Sequence, residues 1–239
     1  MDFDIITAFP GMFEGPLSHS IVKRASDKGL VTIRVHDLRD YTTGRHRKVD
    51  DIPYGGGGGM VLMPGPLFSA VEAIQERHPS VSSRTVLLCP QGARYDQEQA
   101  KRLAGCGRLI LICGHYEGVD ERVRQHLADQ EISIGDYVLT GGEIPAMVMV
   151  DSLTRLMPGA LGDEAGARRD SFYEEGFDHP HYTRPEEFRG WKVPEILLSG
   201  HHGRIAAWRR ARAQEATARK RPDLLKPRAC GGAEETQEH

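Results

Sequence analysis

An α/β fold, with a mostly parallel sheet covered by helices on both faces, is predicted by three observations. Apolar β-type runs alternate with helix-forming segments from Phe3 to Leu156, the pattern of βαβ units. Runs such as Thr85–Leu88 and Leu109–Ile112 are continuously apolar, as in strands buried on both faces. Three of these runs lead straight into glycine-containing loops, at 88–96, 109–118 and 132–143. In open α/β sheets the strand ends are where ligands bind.

Taken in order, Phe3–Ala8 reads as a strand and Ser18–Lys28 as a helix that Gly29 ends. Val31–His36 is a second strand, followed by a long polar loop from Asp37 to Gly59. A helix follows Pro64 and Pro66 and runs to about His78. Next come strand 85–89, a helix opened by Asp96 and closed by Gly105, and strand 108–113. A helix near Gly118–Leu127 precedes two short β runs, Ile132–Ile134 and Tyr137–Leu139, and a helix spans Ile144–Leu156. Residues 160–171 carry little apolar content and read as a flexible linker. A smaller helical domain, 172–228, follows around Trp191, Trp208 and a helix over 203–221, and 229–239 read as a disordered tail.

The 132–143 stretch, Ile-Ser-Ile-Gly-Asp-Tyr-Val-Leu-Thr-Gly-Gly-Glu, carries the strongest functional signal. Its apolar run continues into the next helix, so the loop is pinned between buried elements whose backbone groups need partners. Glycines let a flat ligand approach closely enough to supply them, which suggests a pocket for a small heteroaromatic molecule. The spacing is not that of a GxGxxG dinucleotide fingerprint, and no GxxxxGK[ST] loop occurs. That argues against NAD, a nucleoside triphosphate and a kinase. Gly55–Gly59, five glycines in a row, are costly to order and are followed at once by Met60-Val61-Leu62-Met63-Pro64. Such a loop is expected to order against a large polar partner.

Composition points to a soluble, cytoplasmic enzyme. Hydrophobic residues make up 39 % of 239, and the longest apolar run is far short of a membrane span. Cys89, Cys106, Cys113 and Cys230 have no CxxC spacing and read as reduced thiols. The net charge of −3 conceals a segregation. Residues 201–228 hold nine Lys or Arg against Glu215 and Asp223, while 161–187 hold eight acidic residues against three basic ones. A basic helix of this kind is a footprint for phosphates.

Read together, these residues resemble the bacterial tRNA (guanine-N1-)-methyltransferase family of the knotted SPOUT class. The likeness runs from Phe3 to about Leu225. It is carried by Asp50–Met63, Cys89–Gly92, Cys113–Arg122, Ser133–Glu143, Asp170-Ser171-Phe172, His181–Pro185 and Leu198–His202. Gly65, where the family usually has an acidic residue, and the short tail depart from the pattern. The resemblance implies that the glycine loops form a deep trefoil knot, a rare exception to unknotted chains, within domain 1–159. It implies S-adenosylmethionine bound by Pro90, Gly92, Gly114, Tyr116, Glu117, Ile134, Gly135, Tyr137, Leu139, Gly141 and Gly142.

Asp170 is then the base that removes the guanine N1 proton, and Arg155 the cation that stabilises charge on O6. The expected tRNA contacts are Asp50, Tyr54, Gly57, Gly58, Gly59, His181, Arg184, Arg209 and Arg210. The family's magnesium dependence points to Glu117 as a carboxylate that places the ion. A homodimer with active sites shared between chains is also implied, with no membrane partner. Two other readings are a knotted methyltransferase acting on a different RNA and an inactive RNA-binding relative. His179 with His181, or His201 with His202, could suggest a transition-metal site, but without nearby cysteine pairs ordinary polar contacts are the better reading.

If the basic helix holds phosphates, replacing Arg209, Arg210 and Arg212 together with Ala weakens tRNA binding. The slope of log affinity against log salt should fall by about 2 to 3, one phosphate per arginine. An unchanged slope would make the helix structural.

Overall fold

The computed structural model describes residues 1–225 except 78, 80, 163–165, 167, 168, 174 and 175. The expected end of the second helix at His78, part of the 160–171 linker and the 229–239 tail lie outside the described residues. The chain divides into two compact units, Met1–Glu164 and Ala165–His239.

In the first unit, five strands form one parallel sheet: β1 (Asp2–Thr7), β2 (Thr32–Asp37), β5 (Ser83–Arg94), β6 (Arg108–Cys113) and β7 (Gln130–Ser133), in the order β2-β1-β6-β5-β7. All six residues of β6 are buried, and the pleat sends them alternately to opposite faces. Leu109, Leu111 and Cys113 join Phe3, Ile5, Val86, Leu88 and Ile132 in one apolar cluster. That cluster is closed by helices α1 (Ser20–Asp27), α3 (Gln97–Ala104) and α5 (Glu143–Thr154). Ile110 and Ile112 join Ile6 and Leu87 on the other face, beneath α2 (Pro64–Arg77) and α4 (Glu121–His126). Each fully buried Leu or Ile contributes about 1.5–3 kcal/mol, so both faces must be covered for β6 to remain a strand.

The helix boundaries follow local chemistry. Asp96 caps α3 by accepting from Gln99 N at 2.9 Å, and Asp120 caps α4 by accepting from Arg122 N at 3.0 Å. Gly29, at φ +70°, ends α1: its N–H reaches Ser26 O and Leu30 N reaches Ala25 O, both at 2.9 Å. This is the paired bonding of a glycine-terminated helix.

Three features differ from the sequence expectation. Tyr137–Leu139 is not a strand: β7 ends at Ser133, and 134–142 run as loop into α5. Their apolar side chains serve the loop rather than a ladder, which periodicity could not distinguish. β5 extends to Arg94, because Leu88 and Ala93 both register with Ile132 and residues 89–92 bulge out between them. Within the long polar loop, β3 (Asp50–Asp51) and β4 (Val61–Leu62) pair antiparallel around the five glycines.

At the amino ends of the strands lies a buried charge network. Arg108, 1 % exposed, places Nε 3.3 Å from Asp4 Oδ2 and Nη2 3.5 Å from Asp2 Oδ2. His36 Nε2 lies 2.8 Å from Asp4 Oδ1, and Tyr41 Oη meets His36 Nδ1 at 2.9 Å. Burial would raise the Asp2 carboxyl, but the Arg34 hydrogen bond and charge, with help from Thr32 and Arg108, hold it below its ordinary value.

In the second unit, β8 (Glu187–Phe188) and β9 (Trp191–Lys192) form a short hairpin, followed by α6 (Glu195–Leu198) and α7 (His202–Lys220). Buried Thr217 on α7 accepts from Phe177 N at 2.9 Å, tying the 176–178 segment to the helix.

Removing one member of a buried ion pair strands the other, at about 3–5 kcal/mol. Asp4→Ala should therefore lower stability by that amount in urea unfolding. Asp4→Leu combined with Arg108→Met should cost less than Asp4→Ala alone. A single-variant loss under about 1 kcal/mol would mean water already solvates the network.

Candidate functional site

The carboxyl ends of β5, β6 and β7 enclose a cavity of about 350 Å³. Its walls are the β5 bulge, the loop after β6 from Gly114 to Val119, and the loop after β7 from Ile134 to Gly142. Ten of the eleven residues expected at the cofactor line it: Pro90, Gly114, Tyr116, Glu117, Ile134, Gly135, Tyr137, Leu139, Gly141 and Gly142. Gly92 does not. A Cβ there would collide with the Ile132 backbone and come within 2.5 Å of Glu131 C, so this glycine serves the close approach of β5 and β7.

Close packing, against backbone or side chains, explains several of the other glycines. A Cβ on Gly142 would lie 2.6 Å from Cys113 Cα and 2.9 Å from Gly114 N. Gly142 N donates to Gly114 O at 2.7 Å, so the two loops are in direct backbone contact. A side chain on Gly141 would strike Glu143 and His115. Tyr116 takes a positive φ of +60° at the tip of its loop, an uncommon conformation outside glycine that clusters at functional sites.

Beneath the cavity is a polar group that the sequence does not single out. Glu143, 1 % exposed, opens α5, where its carboxyl lies in the first turn at the positive end of the helix. Thr7 at the end of β1 donates to Glu143 Oε1 at 2.7 Å, across 136 residues of sequence. Glu143 Oε2 lies 3.5 Å from His115 Nδ1, too long for a hydrogen bond, and both atoms are buried without a hydrogen-bonding partner among the described residues. The His115 ring leans on Phe9 with centroids 4.3 Å apart. Burial, with Glu143 nearby, pushes the Cys113 thiol well above its ordinary value. Burial and the Glu131 hydrogen bond raise Cys89. Neither thiol is poised as a nucleophile.

The glycine loop meets the cavity wall. Glu117 N donates to Met60 O, Leu62 N to Gly118 O and Asp120 N to Leu62 O, each at 3.0 Å. A Cβ on Gly59 would lie 2.5 Å from Glu117 Oε1. Asp50 sits in β3, Tyr54 is fully exposed, and Gly57 and Gly59 take positive φ while Gly58 does not.

Arg155 is the exposed C-cap of α5. Asp170, His181, Arg184, Arg209 and Arg210 are exposed residues of the second unit. Sequence reasoning missed Cys89, Gln91, His115, Arg124, Val138 and Thr140 in the cavity wall. Gln91 and His115 stood inside the glycine loops and could have been included; Arg124 comes from α4 and carried no local signal.

These features define a ligand-binding α/β protein whose site is assembled from glycine loops at the carboxyl ends of a parallel sheet. The family model described as tRNA (Guanine-1)-methyltransferase TrmD matches residues 1–227, and the chain belongs to that family. A curated relative from Geobacillus kaustophilus, named tRNA (guanine-N(1)-)-methyltransferase, is 57% identical over 225 residues, 94% of this chain and 91% of its own. Relatives of the same name from Desulforamulus reducens and Halalkalibacterium halodurans are 53% and 52% identical. The first covers 95% of this chain and 89% of its own length, the second 100% and 96%.

Because an added Cβ would lie 2.6 Å from Cys113 Cα, Gly142→Ala should weaken S-adenosylmethionine binding by calorimetry roughly tenfold or more, a loss of about 1.4 kcal/mol. Gly44→Ala, where the added methyl meets nothing within 4 Å, should leave it unchanged. Equal affinities in the two variants would remove the loop contact from the binding site.

Proposed function

We propose that the protein methylates N1 of the guanine immediately 3′ of the anticodon, position 37 of tRNA, using S-adenosylmethionine. The observation that carries this reading is family membership over residues 1–227 together with a cavity lined by the glycine loops. Relatives named for guanine-N1 methylation at over half identity favour it over a different RNA or an inactive relative.

The cavity fits such a cofactor in size and chemistry. Backbone groups of the 134–142 loop are free of side-chain bulk at Gly141 and Gly142 and can read an adenine edge. Ile134 and Leu139 supply apolar faces beside them. When bound, S-adenosylmethionine supplies an electrophilic methyl group on its sulfonium. Asp170 takes the guanine N1 proton, and Arg155 stabilises the charge that then spreads toward O6. Glu117 is the one carboxylate among the described residues that line the cavity, and so the candidate for placing Mg²⁺, which keeps most of its own waters.

In this reading the glycine loops form the trefoil knot of a catalytic domain, 1–159, and 160–171 link it to a tRNA-binding domain, 172–228. Two copies pair so that each active site draws its knot from one chain and its Asp170 from the other. Exposed Val138, Ile144 and Val148 supply apolar surface that a second copy would cover. Asp50, Tyr54 and Gly57–Gly59 engage the anticodon side, and His181, Arg184, Arg209 and Arg210 the backbone. The absence of a membrane-crossing helix among the described residues is consistent with work on tRNA in the cytoplasm.

The direct test is methyl transfer from labelled cofactor, with magnesium, to a tRNA transcript bearing guanine at that position and to one bearing adenine. Label in the first alone supports the assignment, and label in both moves the target elsewhere. Asp170→Asn should bind the cofactor normally yet transfer methyl about 10² to 10⁴ times more slowly. Turnover near that of the unmodified protein would strip Asp170 of its role.

A further inference from the structure

The second unit contains a cluster of which the methyltransferase reading uses only His181. Asp178, His179 and His181 each offer a ligand atom, and these atoms lie within 4.8 Å of one another. The geometry points to a site for a divalent transition-metal ion, of the Zn²⁺, Co²⁺ or Ni²⁺ class, held by two imidazoles and one carboxylate.

Hydrogen bonding alone accounts for only half of the cluster. His181 Nε2 meets Asp178 Oδ2 at 2.9 Å, an ordinary hydrogen bond. His179 Nε2 stops 3.7 Å from Asp178 Oδ1, beyond hydrogen-bonding reach. The tautomer of His179 is fixed by its neighbour. Its Nδ1 lies 3.2 Å from Pro180 O, and a carbonyl can only accept, so Nδ1 carries the hydrogen. The opposite ring nitrogen, Nε2, is therefore directed toward the Asp178 carboxylate. A metal ion seated between this nitrogen and the carboxylate would engage both, at a separation too long for a direct hydrogen bond. A ring N–H donated to a backbone carbonyl is also how metal-binding histidines are usually oriented.

The distances fit such an ion. Tetrahedral Zn²⁺ with bonds of 2.0–2.1 Å sets its ligand atoms about 3.3–3.4 Å apart. The two imidazole nitrogens stand 2.9 and 3.7 Å from the two Asp178 oxygens, and all the ligand atoms lie within 4.8 Å of one another, so a small side-chain adjustment reaches that spacing. Two of the ligands are held in place: the His179 side chain is 12 % exposed and that of Asp178 is 21 % exposed. Asp178 N donates to Ser171 Oγ at 2.9 Å, and His179 N to Asp178 Oδ1 at 2.6 Å. The third, His181, is 71 % exposed and has room to swing in. Three protein ligands leave at least one position open to water. The donor set favours imidazole-seeking ions over Mg²⁺, which takes oxygen ligands. The site is thus distinct from any magnesium placed by Glu117, and it does not depend on the substrate proposed above.

Chelator-treated full-length protein titrated with Co²⁺ should develop visible d–d absorption that saturates at one ion per chain and is displaced by Zn²⁺ but not by excess Mg²⁺. His179→Ala, and separately His181→Ala, should weaken Co²⁺ binding at least tenfold, with circular dichroism unchanged. The His201→Ala/His202→Ala double variant should bind like the unmodified protein. Absence of the absorption, or the same affinity in His179→Ala and His181→Ala, would overturn the site. Loss of binding only in the His201→Ala/His202→Ala variant would also overturn it, by moving the ion to that pair.

Discussion

The constraint on which the site depends is the absence of room between its loops. Gly142 lies against Cys113 and Gly114, and Gly92 against Ile132, so the loops after β6 and β7 and the β5 bulge pack backbone to backbone. Such contact is open only to glycine, and it places the loops' peptide groups along one cavity. Packing of this kind also removes slack: a loop that cannot accommodate a methyl group cannot drift far from its neighbour.

The sheet holds those loops from below through a polar connection. Thr7 at the end of β1 bonds Glu143 at the start of α5, which faces His115 on the β6 loop. One buried carboxylate therefore joins a central strand, the main helix of one face and the cavity wall. At the opposite end of the same strands, Arg108 gathers Asp2 and Asp4. Desolvating charges is expensive unless geometry compensates, so the network's net contribution is small beside the cost of removing one of its members. The glycine loop is attached to the cavity by three backbone hydrogen bonds. Anything that orders residues 55–60 therefore acts on the position of Glu117, whose side chain fills the space beside Gly59.

Much of the fold was legible because its signals are local. Continuous apolar runs mark strands covered on both faces, as the six buried residues of β6 illustrate. Asp96, Asp120 and Gly29 mark helix ends because capping involves only the neighbouring few residues. The glycine loops marked the cavity for the same reason. Tyr137–Leu139 misled, since a short apolar run lining a pocket has the composition of a strand. The histidines at 179 and 181 read as ordinary polar residues, because no cysteine pair accompanied them, although their carboxylate partner Asp178 is adjacent in sequence.

Residue type and spacing alone were enough for the parallel α/β class, the approximate places of the helices and the three glycine loops, and the ordered motifs carried the resemblance to the methyltransferase family. These properties are written in residue type and spacing along the chain. Only the tertiary structure decided that Gly92 spaces two strands while Gly142 spaces two loops, and that Thr7 supports Glu143. It also decided that Gly59, the last of the five glycines, abuts Glu117. Those relations depend on which backbone groups the fold brings within a few ångströms of one another. Contacts across many tens of residues leave no periodicity for a single sequence to display.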